Sequence, residues 1–496
     1  MAHIPPSVRD TLIPELALYK RGKVRETYFL AHPSPYEKIL LSVASDRISI
    51  FDCVLPAFIA QKGAILTAMN VFWRTKIIKN IVPHDLIDYG TAVDEYLPQS
   101  LRGNPDIHKR ALVVKKLEML PIEAIARGYL MGSGLASYKK TGAVCGHHLP
   151  EGLHGGSELP YAIFTPTTKA KEGHDEHITA DSVAQIYGVL PERMSLELYQ
   201  TALRYARSKG IILADTKFEF GFDANGALTL GDELLTPDSG RFWNWDAWFA
   251  AVRARKSPAS LDKQYVREEG KRLGIADLDP RKPEDLARVD TCEIASEVCA
   301  HTAKLYRYIF SRLTGKKLEI FQRDDMGIAV DPPTMRIEIV LGSESDLPQT
   351  VEGRQFIHDA KGVESHLHII SCHRNPEALR NYAQSLPDNC VIVAAAEKAT
   401  ALPGMLKAWL NHFGKSNIPV IGVALKGNTP EADTAARLSI EELPGTPIVL
   451  NYGRAYFGRE GFTIACLHAV ESEFMTTSEA PKEPFFNLLV APEGYV

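Results

Sequence analysis

An alternation of apolar and polar positions marks residues 210–243 as a β-hairpin. The segment reads GIILADTKFEFGFDANGALTLGDELLTPDSGRFW. The apolar run IILA leads into the alternating run TKFEF, the cluster DANG favours a turn, and ALTL starts a return strand. Because successive side chains of a strand point to opposite faces, Asp215, Lys217 and Glu219 share one face, and pairing around DANG returns Asp232 close to Glu219. We therefore expect a hairpin with an acidic face that contains a lysine.

The later part of the chain follows a different pattern. Residues 293–313 carry apolar positions at helical spacing, whereas 323–336 is polar and contains prolines. From 337 to 475 the apolar strand candidates IEIVL, HLHII, CVIVAAA, PVIGVAL and PIVLN alternate with helical segments, as in an open parallel sheet. We predict a first domain at 1–322, a linker at 323–336, a three-layer, flavodoxin-like α/β domain at 337–475 and a C-terminal tail at 476–496.

Composition narrows the class of protein. The 496 residues are too many for one ordinary core, and the hydrophobic fraction of 45% and charged fraction of 24% are those of a soluble globular protein. The net charge of −5, without a lysine or arginine block, gives no reason to expect nucleic acid, and no apolar run reaches the length of a membrane span. The N-terminal MAHIPPSVRD lacks the regions of a signal peptide. Seven scattered cysteines without a CxxC pair indicate reduced thiols, so we expect a cytoplasmic protein.

The charged residues of the hairpin suggest chemistry on phosphate. Glu219 and Asp232 on a rigid element, with Lys217 beside them, suit a hard divalent cation that bridges phosphate oxygens. An exposed sheet face with charge pairs explains the same pattern equally well. In KRGKVRETY, the glycine turn beside Lys23 and Arg25 suits nucleotide phosphates, although such a turn is more often simply solvated.

Three further segments carry polar residues of interest. SDRISIFD (45–52) is too polar for a simple core strand, and IARGYLMGS (125–133) places an arginine ahead of a Gly-Ser turn. FTPTTKAKEGHDEHI (164–178) adds a cluster of lysine, histidine and acidic residues. A metal site in the last segment is the less favoured interpretation, because the segment lacks HExxH spacing and an accompanying cysteine. Together these signals predict ATP, a divalent metal and an anionic substrate.

Seven motifs carry a specific resemblance. KRGKVRETY, SDRISIFD, IARGYLMGS, FTPTTKAKEGHDE, ADTKFEFG, GDELLTPDSGRFW and SLDKQYVR resemble the phosphoribosylaminoimidazole-succinocarboxamide synthase (SAICAR synthetase) family, in the family's order over residues 10–320. The resemblance implies a two-lobed α+β fold of ATP-grasp-like type. It also implies ligation of L-aspartate to the carboxylate of carboxyaminoimidazole ribonucleotide (CAIR), with ATP converted to ADP and phosphate and with Mg²⁺ as the metal.

The resemblance also assigns roles to single positions. Glu219 and Asp232 would be the metal-linked carboxylates, and Lys217 would contact phosphate or the activated carboxylate. Asp52 would accept the proton of the aspartate amine. The remaining implied positions are Lys23 and Arg25 at the triphosphate, Lys115 and Met119 at the adenine, Arg127, Ser133, Arg241 and Arg267 at CAIR, and Lys169, Asp175, Asp238 and Ser239 elsewhere in the site.

The second domain carries a resemblance of its own. LGSESD (341–346), SCHRNPE (371–377) and ALPGM (401–405) resemble the aminoimidazole ribonucleotide carboxylase/mutase family, whose members make CAIR. By this resemblance the histidine of the second motif acts as acid and base at the imidazole carbon, and the other positions hold the ribonucleotide. The positions concerned are His373, and Ser343, Ser345, Asp346 and Arg374.

One segment departs from that second family. AAAEKAT (394–400) stands where the family has a glycine-rich loop followed by a histidine, and its side chains block a close backbone approach. Two interpretations stay open: a working carboxylase or mutase, and a remnant that binds a ribonucleotide or assembles a homo-oligomer.

Two functions of other classes fit the sequence less well. A nucleotide-binding scaffold without turnover would have lost the metal carboxylates or the phosphate lysines, and a kinase would need an HRD-like loop that the sequence lacks. The expected partners are therefore CAIR, L-aspartate and ATP, with aminoimidazole ribonucleotide and CO₂ if the second domain is active, and neither nucleic acid nor a membrane.

Overall fold

The structure is a computed structural model that describes most of the chain. The chain divides into two compact units, with the boundary between residues 331 and 332. The described residues are 11–31, 38–169, 176–330, 334–398, 400–443, 448–475, 490–491 and 494–495. Among them, no helix is both long enough and apolar enough to cross a membrane.

The first unit is built on antiparallel strands. Its strands are β1 (Leu18–Arg21), β2 (Arg25–Leu30), β3 (Ile39–Ala44), β4 (Arg47–Ile50), β5 (Cys53–Phe58), β6 (Leu86–Tyr89), β7 (Ala111–Lys115), β8 (Glu118–Met119), β9 (Ile122–Tyr129), β10 (Ala143–Val144), β11 (His147–His148), β12 (Glu158–Phe164), β13 (Thr167–Thr168), β14 (Ile211–Phe222), β15 (Leu228–Gly231) and β16 (Gly240–Asn244).

The helices of this unit surround the strands. They are α1 (Lys62–Phe72), α2 (Pro105–Arg110), α3 (Gly132–Thr141), α4 (Ala180–Tyr187), α5 (Leu190–Ser208), α6 (Trp245–Arg253), α7 (Gln264–Arg272), α8 (Pro283–Asp290), α9 (Ser296–Thr314) and α10 (Leu318–Met326). Helix α9 is the helix that the apolar spacing at 293–313 predicted, and it ends at Gly315, whose left-handed φ of 75° closes a helix well.

Two sheets form the body of the first unit. One has the strand order β1-β2-β3-β7-β6, and the other runs β12-β9-β14-β15, with β8, β13 and β16 paired at its margins. Strand β14 is twelve residues long and almost entirely buried. Both of its edges are paired, with β9 and β16 along its first part and with β15 and β8 along its second. This confirms the predicted α+β class and makes β14 the element from which the site is built.

The second unit is a parallel sheet between two layers of helices. Its elements are β17 (Met335–Leu341), α11 (Val351–Asp359), β18 (Val363–Ile369), α12 (Pro376–Ser385), β19 (Cys390–Ala396), α13 (Leu402–His412), β20 (Val420–Ala424), α14 (Pro430–Glu441), β21 (Tyr456–Phe457) and α15 (Gly458–Glu471), followed by the short strands β22 (Val490–Ala491) and β23 (Gly494–Tyr495). The parallel order is β18-β17-β19-β20-β21. One face packs on α12, α13 and α14, and the other on α11 and α15. The flavodoxin-like prediction is confirmed.

Two details differ from the expectations. In its described part, 448–451, the predicted strand PIVLN forms only isolated bridges, Val449 with Ile421 and Asn451 with Arg454. The fifth strand is instead β21, because the chain reaches the sheet edge later than its apolar run suggests. The predicted linker at 323–336 contains the end of α10 and the start of β17. Most of the predicted tail at 476–496 lies outside the described residues.

Candidate functional site

The first unit contains a charged cavity of about 770 Å³ at the end of strand β14. Its walls come from the β1–β2 turn, the β4–β5 turn, β9, β14, the segment after β15, and the start of α7. Thirteen residues that the sequence singled out line it: Lys23, Arg25, Asp52, Arg127, Ser133, Lys169, Lys217, Glu219, Asp232, Asp238, Ser239, Arg241 and Arg267. Residues far apart in the sequence thus converge on one space, which suits a small-molecule site.

The two hairpin carboxylates meet in this cavity. Glu219 pairs in register with Gly231, so Asp232 follows directly on the opposite strand, as the turn cluster predicted. Burial and the charge of Asp232 raise the pKa of Glu219, although Lys217 and Lys169 oppose this shift. Desolvation also acts to raise the pKa of Asp232, but Arg25, Lys217 and Lys169 outweigh it, so that pKa is lowered. Such opposite shifts are typical of two adjacent carboxylates, where the charge of one disfavours ionisation of the other.

Two lysines offset the charge of this pair. Lys217 Nζ lies 2.8 Å from Glu123 Oε1 and 3.3 Å from Glu219 Oε1, and Lys169 Nζ donates to Glu219 Oε2. Burial lowers the pKa of Lys217, but Glu219 and Glu123 outweigh it and raise that pKa above its usual value. Lys217 therefore stays a cation, which suits a contact with phosphate and excludes a role as a base at neutral pH.

The glycine turn between β1 and β2 brings two more cations to the cavity. Arg25 lies 3.1 Å from Asp232 Oδ1 and 3.7 Å from Glu233 Oε2. Lys23 stays half exposed at the turn itself. Arg47, from the SDRISIFD motif, supports the turn by donating to the carbonyl oxygens of Lys23 and Gly22 at 3.1 and 3.3 Å. That motif is thus partly a scaffold for the phosphate turn.

Asp52 lies in the β4–β5 turn and lines the same cavity beside Lys23. Its φ is 63°, a left-handed backbone that aspartate tolerates better than most residues. Lys23 Nζ is 2.5 Å from Asp52 Oδ1, and 59% of the Asp52 side chain is exposed. An accessible carboxylate at the rim suits the predicted proton acceptor, and that role stays a prediction.

The buried Arg127 and the partly exposed Arg241 share one carboxylate in the cavity. Arg241 Nη1 lies 2.5 Å and Arg127 Nη1 3.4 Å from Asp215 Oδ2, while Arg127 Nε donates to Thr165 Oγ1 at 2.8 Å. One carboxylate leaves the pair with net positive charge, which suits an anionic ligand.

The first turn of α3 leaves space for these guanidinium groups. A Cβ on Gly134 would lie 2.5 Å from Arg127 Nη1, and one on Gly132 would lie 2.3 Å from Arg241 Nη2. Gly132 also has a φ of 57°. The glycines of the MGSG segment are therefore part of the arginine site.

Asp238 has buried partners that the sequence did not reveal. Lys62 Nζ lies 2.7 Å from Asp238 Oδ2, and Tyr306 donates its hydroxyl to Asp238 Oδ1 at 2.6 Å. Burial acts against ionisation, but Lys62 and Lys263 outweigh it and lower the pKa of Asp238 to about 2. Lys62 lies inside the apolar pattern of α1, which gives no signal of a cavity partner, so sequence reasoning missed it.

The start of α7 adds cations without close carboxylates. In the part of the chain that the structure describes, no carboxylate oxygen lies within ion-pair distance of Lys263 or Arg267. Burial lowers the pKa of Lys263 to about 8, despite the charge of Asp238. The sequence predicted Arg267 but missed Lys263, although both belong to the quoted motif SLDKQYVR. Together with Arg241, these two cations extend the site that suits an anionic ligand.

Two predicted residues, Lys115 and Met119, do not join this group. Lys115 ends β7 and Met119 ends β8, and neither lines the cavity, although β8 pairs with β14 beside the hairpin. Their adenine role stays a prediction. Asp175 lies outside the described residues.

Donor chemistry at the hairpin fits Mg²⁺. Two adjacent carboxylates supply the hard oxygen ligands that Mg²⁺ prefers, and Mg²⁺ commonly takes only one or two carboxylates together with phosphate oxygens and water. Within the described ranges, no group of three or more histidine, cysteine or acidic side chains is arranged to hold a metal by itself. The chain thus fits a metal that arrives with a phosphate ligand.

The second unit gathers its predicted residues after β17. Ser343 Oγ accepts from the Ser345 amide and from its hydroxyl, the latter at 3.0 Å, and Asp346 Oδ2 accepts from the Ser343 amide at 2.9 Å. Burial raises the pKa of Asp346 to about 6. These residues cap a short helical turn locally at the carboxyl end of a central strand, where open α/β sheets bind ligands.

The histidine loop of this unit is more loosely held. Arg374 Nη2 donates to the Gly342 carbonyl at 3.4 Å, and the exposed His373 has Cys372 as its neighbour, with 3.7 Å between Nδ1 and Sγ. In the AAAEKAT segment, Lys398 has a φ of 52°, which is unfavourable for lysine. The charge of Glu397 contributes to the raised pKa of Asp346. The AAAEKAT segment, which departs from the second family, therefore lies close enough to the site to affect Asp346.

Comparison with known families agrees with the geometry. Residues 18–277 match the model of the family described as SAICAR synthetase. The chain belongs to the SAICAR synthetase family. Residues 336–452 match a second model, described as AIR carboxylase. SAICAR synthetases are carbon–nitrogen ligases of purine biosynthesis, so the chain combines a ligase of this class with an AIR carboxylase-like unit.

Individual SAICAR synthetases cover the first unit. A phosphoribosylaminoimidazole-succinocarboxamide synthase of Methylobacillus flagellatus is 46% identical over 313 residues, which are 61% of this chain and 96% of that protein. One of Saccharopolyspora erythraea is 48% identical over 251 residues, 50% of this chain and 78% of that protein. The solved SAICAR synthase of Saccharomyces cerevisiae, complexed with SAICAR, is 34% identical with a TM-score of 0.53, and the match covers 63% of this chain and 99% of that one.

Proposed function

We propose that the first unit joins L-aspartate to the carboxylate of CAIR, using ATP and Mg²⁺, to give SAICAR, ADP and phosphate. The observation that carries this proposal is the meeting of the acidic pair Glu219 and Asp232 with the cations Lys217, Arg241 and Arg267 in one cavity. The acidic end suits a metal–triphosphate, and the cationic end suits a ribonucleotide with a phosphate and a carboxylate. The solved yeast relative with SAICAR bound supports the choice of ligand.

Activation of the carboxylate requires the two ends to meet. A carboxylate is a poor acyl donor, and transfer of the γ-phosphoryl group of ATP converts it to an acyl phosphate. Lys217 stays a cation between these ends and is placed to stabilise the developing charge. Glu219 and Asp232 would hold Mg²⁺, which when bound neutralises phosphate charge. Lys23 and Arg25 would contact the same triphosphate.

Attack by aspartate needs a neutral amine. Asp52 is the proposed proton acceptor, because its carboxylate is accessible at the cavity rim. Asp238 is fixed and ionised, with a pKa of about 2, so it suits binding of a positive group better than accepting a proton. Arg127, Ser133 and Arg241 would orient CAIR, with Lys169 and Ser239 lining the same space. Asp175 remains proposed for the site from the motif alone.

A second candidate function concerns the second unit. Ser343, Asp346 and Arg374 approach one another after β17, which favours binding of an aminoimidazole ribonucleotide there, with His373 in reach for proton transfer in carboxylation to CAIR. The parallel-sheet unit is also the proposed contact for a homo-oligomer, and the cytoplasm is the proposed location because the thiols of the described cysteines are free.

The test is product formation by the purified full chain with CAIR, L-aspartate, ATP and Mg²⁺. We expect SAICAR and ADP in equal amounts, and neither when CAIR or aspartate is omitted. ADP formation that continues without aspartate would contradict the ligase proposal and indicate transfer of phosphate to another acceptor.

A further inference from the structure

Asp232 has a backbone conformation that needs support. Its φ is 53°, in the left-handed region that L-residues with a side chain rarely occupy, at a cost of about 1 kcal/mol or more. It follows the last residue of β15 directly, and 44% of its side chain is open to the cavity. Cavity contacts alone do not fix the peptide groups on either side of this residue, so the interior behind it must do so.

Arg74 holds the carbonyl side of Asp232 from that interior. It lies in the helical turn that continues α1, and its side chain is completely buried. Arg74 Nη2 donates to the Asp232 carbonyl oxygen at 2.7 Å, and Arg74 Nη1 donates to Asn70 Oδ1 at 3.0 Å. Asn70 Oδ1 also accepts from the Leu234 amide at 3.1 Å. One buried group of side chains therefore fixes the main chain from 232 to 234.

Asp85 in turn holds Arg74. Its Oδ1 lies 3.0 Å from Arg74 Nη2, and its side chain is 6% exposed. The Asp85 main chain is itself anchored, because its amide donates to the Leu230 carbonyl at 2.9 Å and its carbonyl accepts from the Lys115 amide at 2.8 Å. Asp85 thus connects β15 with the end of β7.

We infer that Asp85 and Arg74 are positioning residues for the ligation. Arg74 holds the Asp232 carbonyl, Asp85 holds Arg74 and the main chain of Leu230, and together they keep the Asp232 carboxylate beside Glu219 for the metal–ATP complex. This inference rests on the proposed metal role of Asp232. Neither residue lines the cavity, so neither touches the reacting groups. A buried ion pair adds little net stability on average, and its value here is to fix a strained residue.

The test measures metal binding without turnover. Mn²⁺, which replaces Mg²⁺ as a paramagnetic probe, is supplied as its ATP complex, and binding of that complex to the full chain is followed by the enhancement of water-proton relaxation. We expect Asp85→Asn and Arg74→Lys to weaken Mn²⁺ binding about tenfold at pH 7.5 and to leave the KM for CAIR within twofold. The matched control is Asp94→Asn, which removes a carboxylate that pairs with His108 at 2.8 Å in the same unit and should change nothing.

The outcomes separate this inference from the proposed function. Unchanged Mn²⁺ affinity in Asp85→Asn, with affinity lost in Asp232→Asn, overturns the positioning role alone. Equal losses of Mn²⁺ affinity and CAIR affinity in Asp85→Asn also overturn it, since they indicate general damage. Unchanged affinity in Asp232→Asn overturns the metal role and the inference with it. Absence of ligation by the wild type, with Mn²⁺ binding as predicted, counts against the proposed reaction only.

Discussion

The two candidate sites of this chain are held in different ways. In the first unit, buried partners from distant elements fix the cavity residues: Lys62 and Tyr306 hold Asp238, and Arg74 holds the main chain of Asp232. In the second unit, Ser343 and Asp346 are held by a local helix cap. Long-range contacts fix the geometry of a site only when several elements are correctly placed. A local helix cap keeps its hydrogen bonds even when the loops around it change.

Glycine shows the same difference. In the first unit, Gly132 and Gly134 leave space for guanidinium groups. In the second, a Cβ on Gly342 would already lie 2.9 Å from the Ala396 methyl, and Glu397 and Lys398 follow. Glycines thus leave space beside the backbone of the first site, whereas side chains occupy part of the corresponding space in the second.

The largest effect is expected from Glu219→Gln. Removing one of the two hairpin carboxylates leaves Asp232 alone to hold the metal, so CAIR-dependent ADP formation should fall by about a thousandfold or more. Circular dichroism should show an unchanged fold. Glu197→Gln, at an exposed position of α5, is the control and should behave as wild type. Retained turnover in Glu219→Gln would remove the hairpin from the mechanism.

Gly134→Ala tests the open backbone of the first site. Alanine favours a helix over glycine by about 1 kcal/mol, so α3 itself should not be weakened. Its Cβ would displace Arg127, and steady-state kinetics should show a KM for CAIR about ten- to a hundredfold higher. Lys139→Ala, on the exposed side of α3, is the control. An unchanged KM would show that Arg127 does not grip CAIR.

Glu397→Gln tests the altered loop of the second site. Its charge acts on Asp346 and would repel a phosphate, and one unit charge at about 10 Å and an effective dielectric constant of about 20 contributes ~1.7 kcal/mol. Calorimetric titration with aminoimidazole ribonucleotide should therefore show about tenfold tighter binding than in wild type. Glu352→Gln, on the exposed surface of α11, should not change it. Weaker binding would mean that Glu397 is itself a ligand residue.

Asp346→Asn should give the smallest effect. The pKa of Asp346 is about 6 in the folded chain and about 4 when unfolded, so the folded state binds the proton more tightly and loses stability as the pH rises between these values. Asparagine lacks this titration. Hydrogen exchange of β17 amides should be about fivefold slower than in wild type above pH 6 and equal below pH 4. Faster exchange above pH 6 would contradict this.

The sequence predicted the parts of the molecule that follow local patterns. The period of two placed Glu219 opposite the end of β15, because a tight turn fixes the register of a hairpin. Alternating strands and helices predicted the parallel sheet of the second unit. The family motifs named thirteen residues that the fold brings to one cavity.

Contacts that depend on folding could not be predicted. Lys62 and Arg74 sit in or beside a helix that is buried on every side, where sequence periodicity carries no information about direction. Asp85 precedes a strand with no motif around it, and only the isolated bridge between His84 and Leu230 brings it to the hairpin. Such residues act through the main chain of another residue, so their role appears only in three dimensions.

One paired assay tests the central claim that the first unit is a complete ligase whose site does not need the second site. SAICAR formation is measured for wild type and His373→Ala, with ATP, Mg²⁺ and aspartate, and with either CAIR or aminoimidazole ribonucleotide plus bicarbonate, corrected for spontaneous carboxylation. We predict that both proteins form SAICAR from CAIR at the same rate, whether or not product also forms from aminoimidazole ribonucleotide and bicarbonate. Absence of product from CAIR in wild type, or its loss in His373→Ala, would contradict the account.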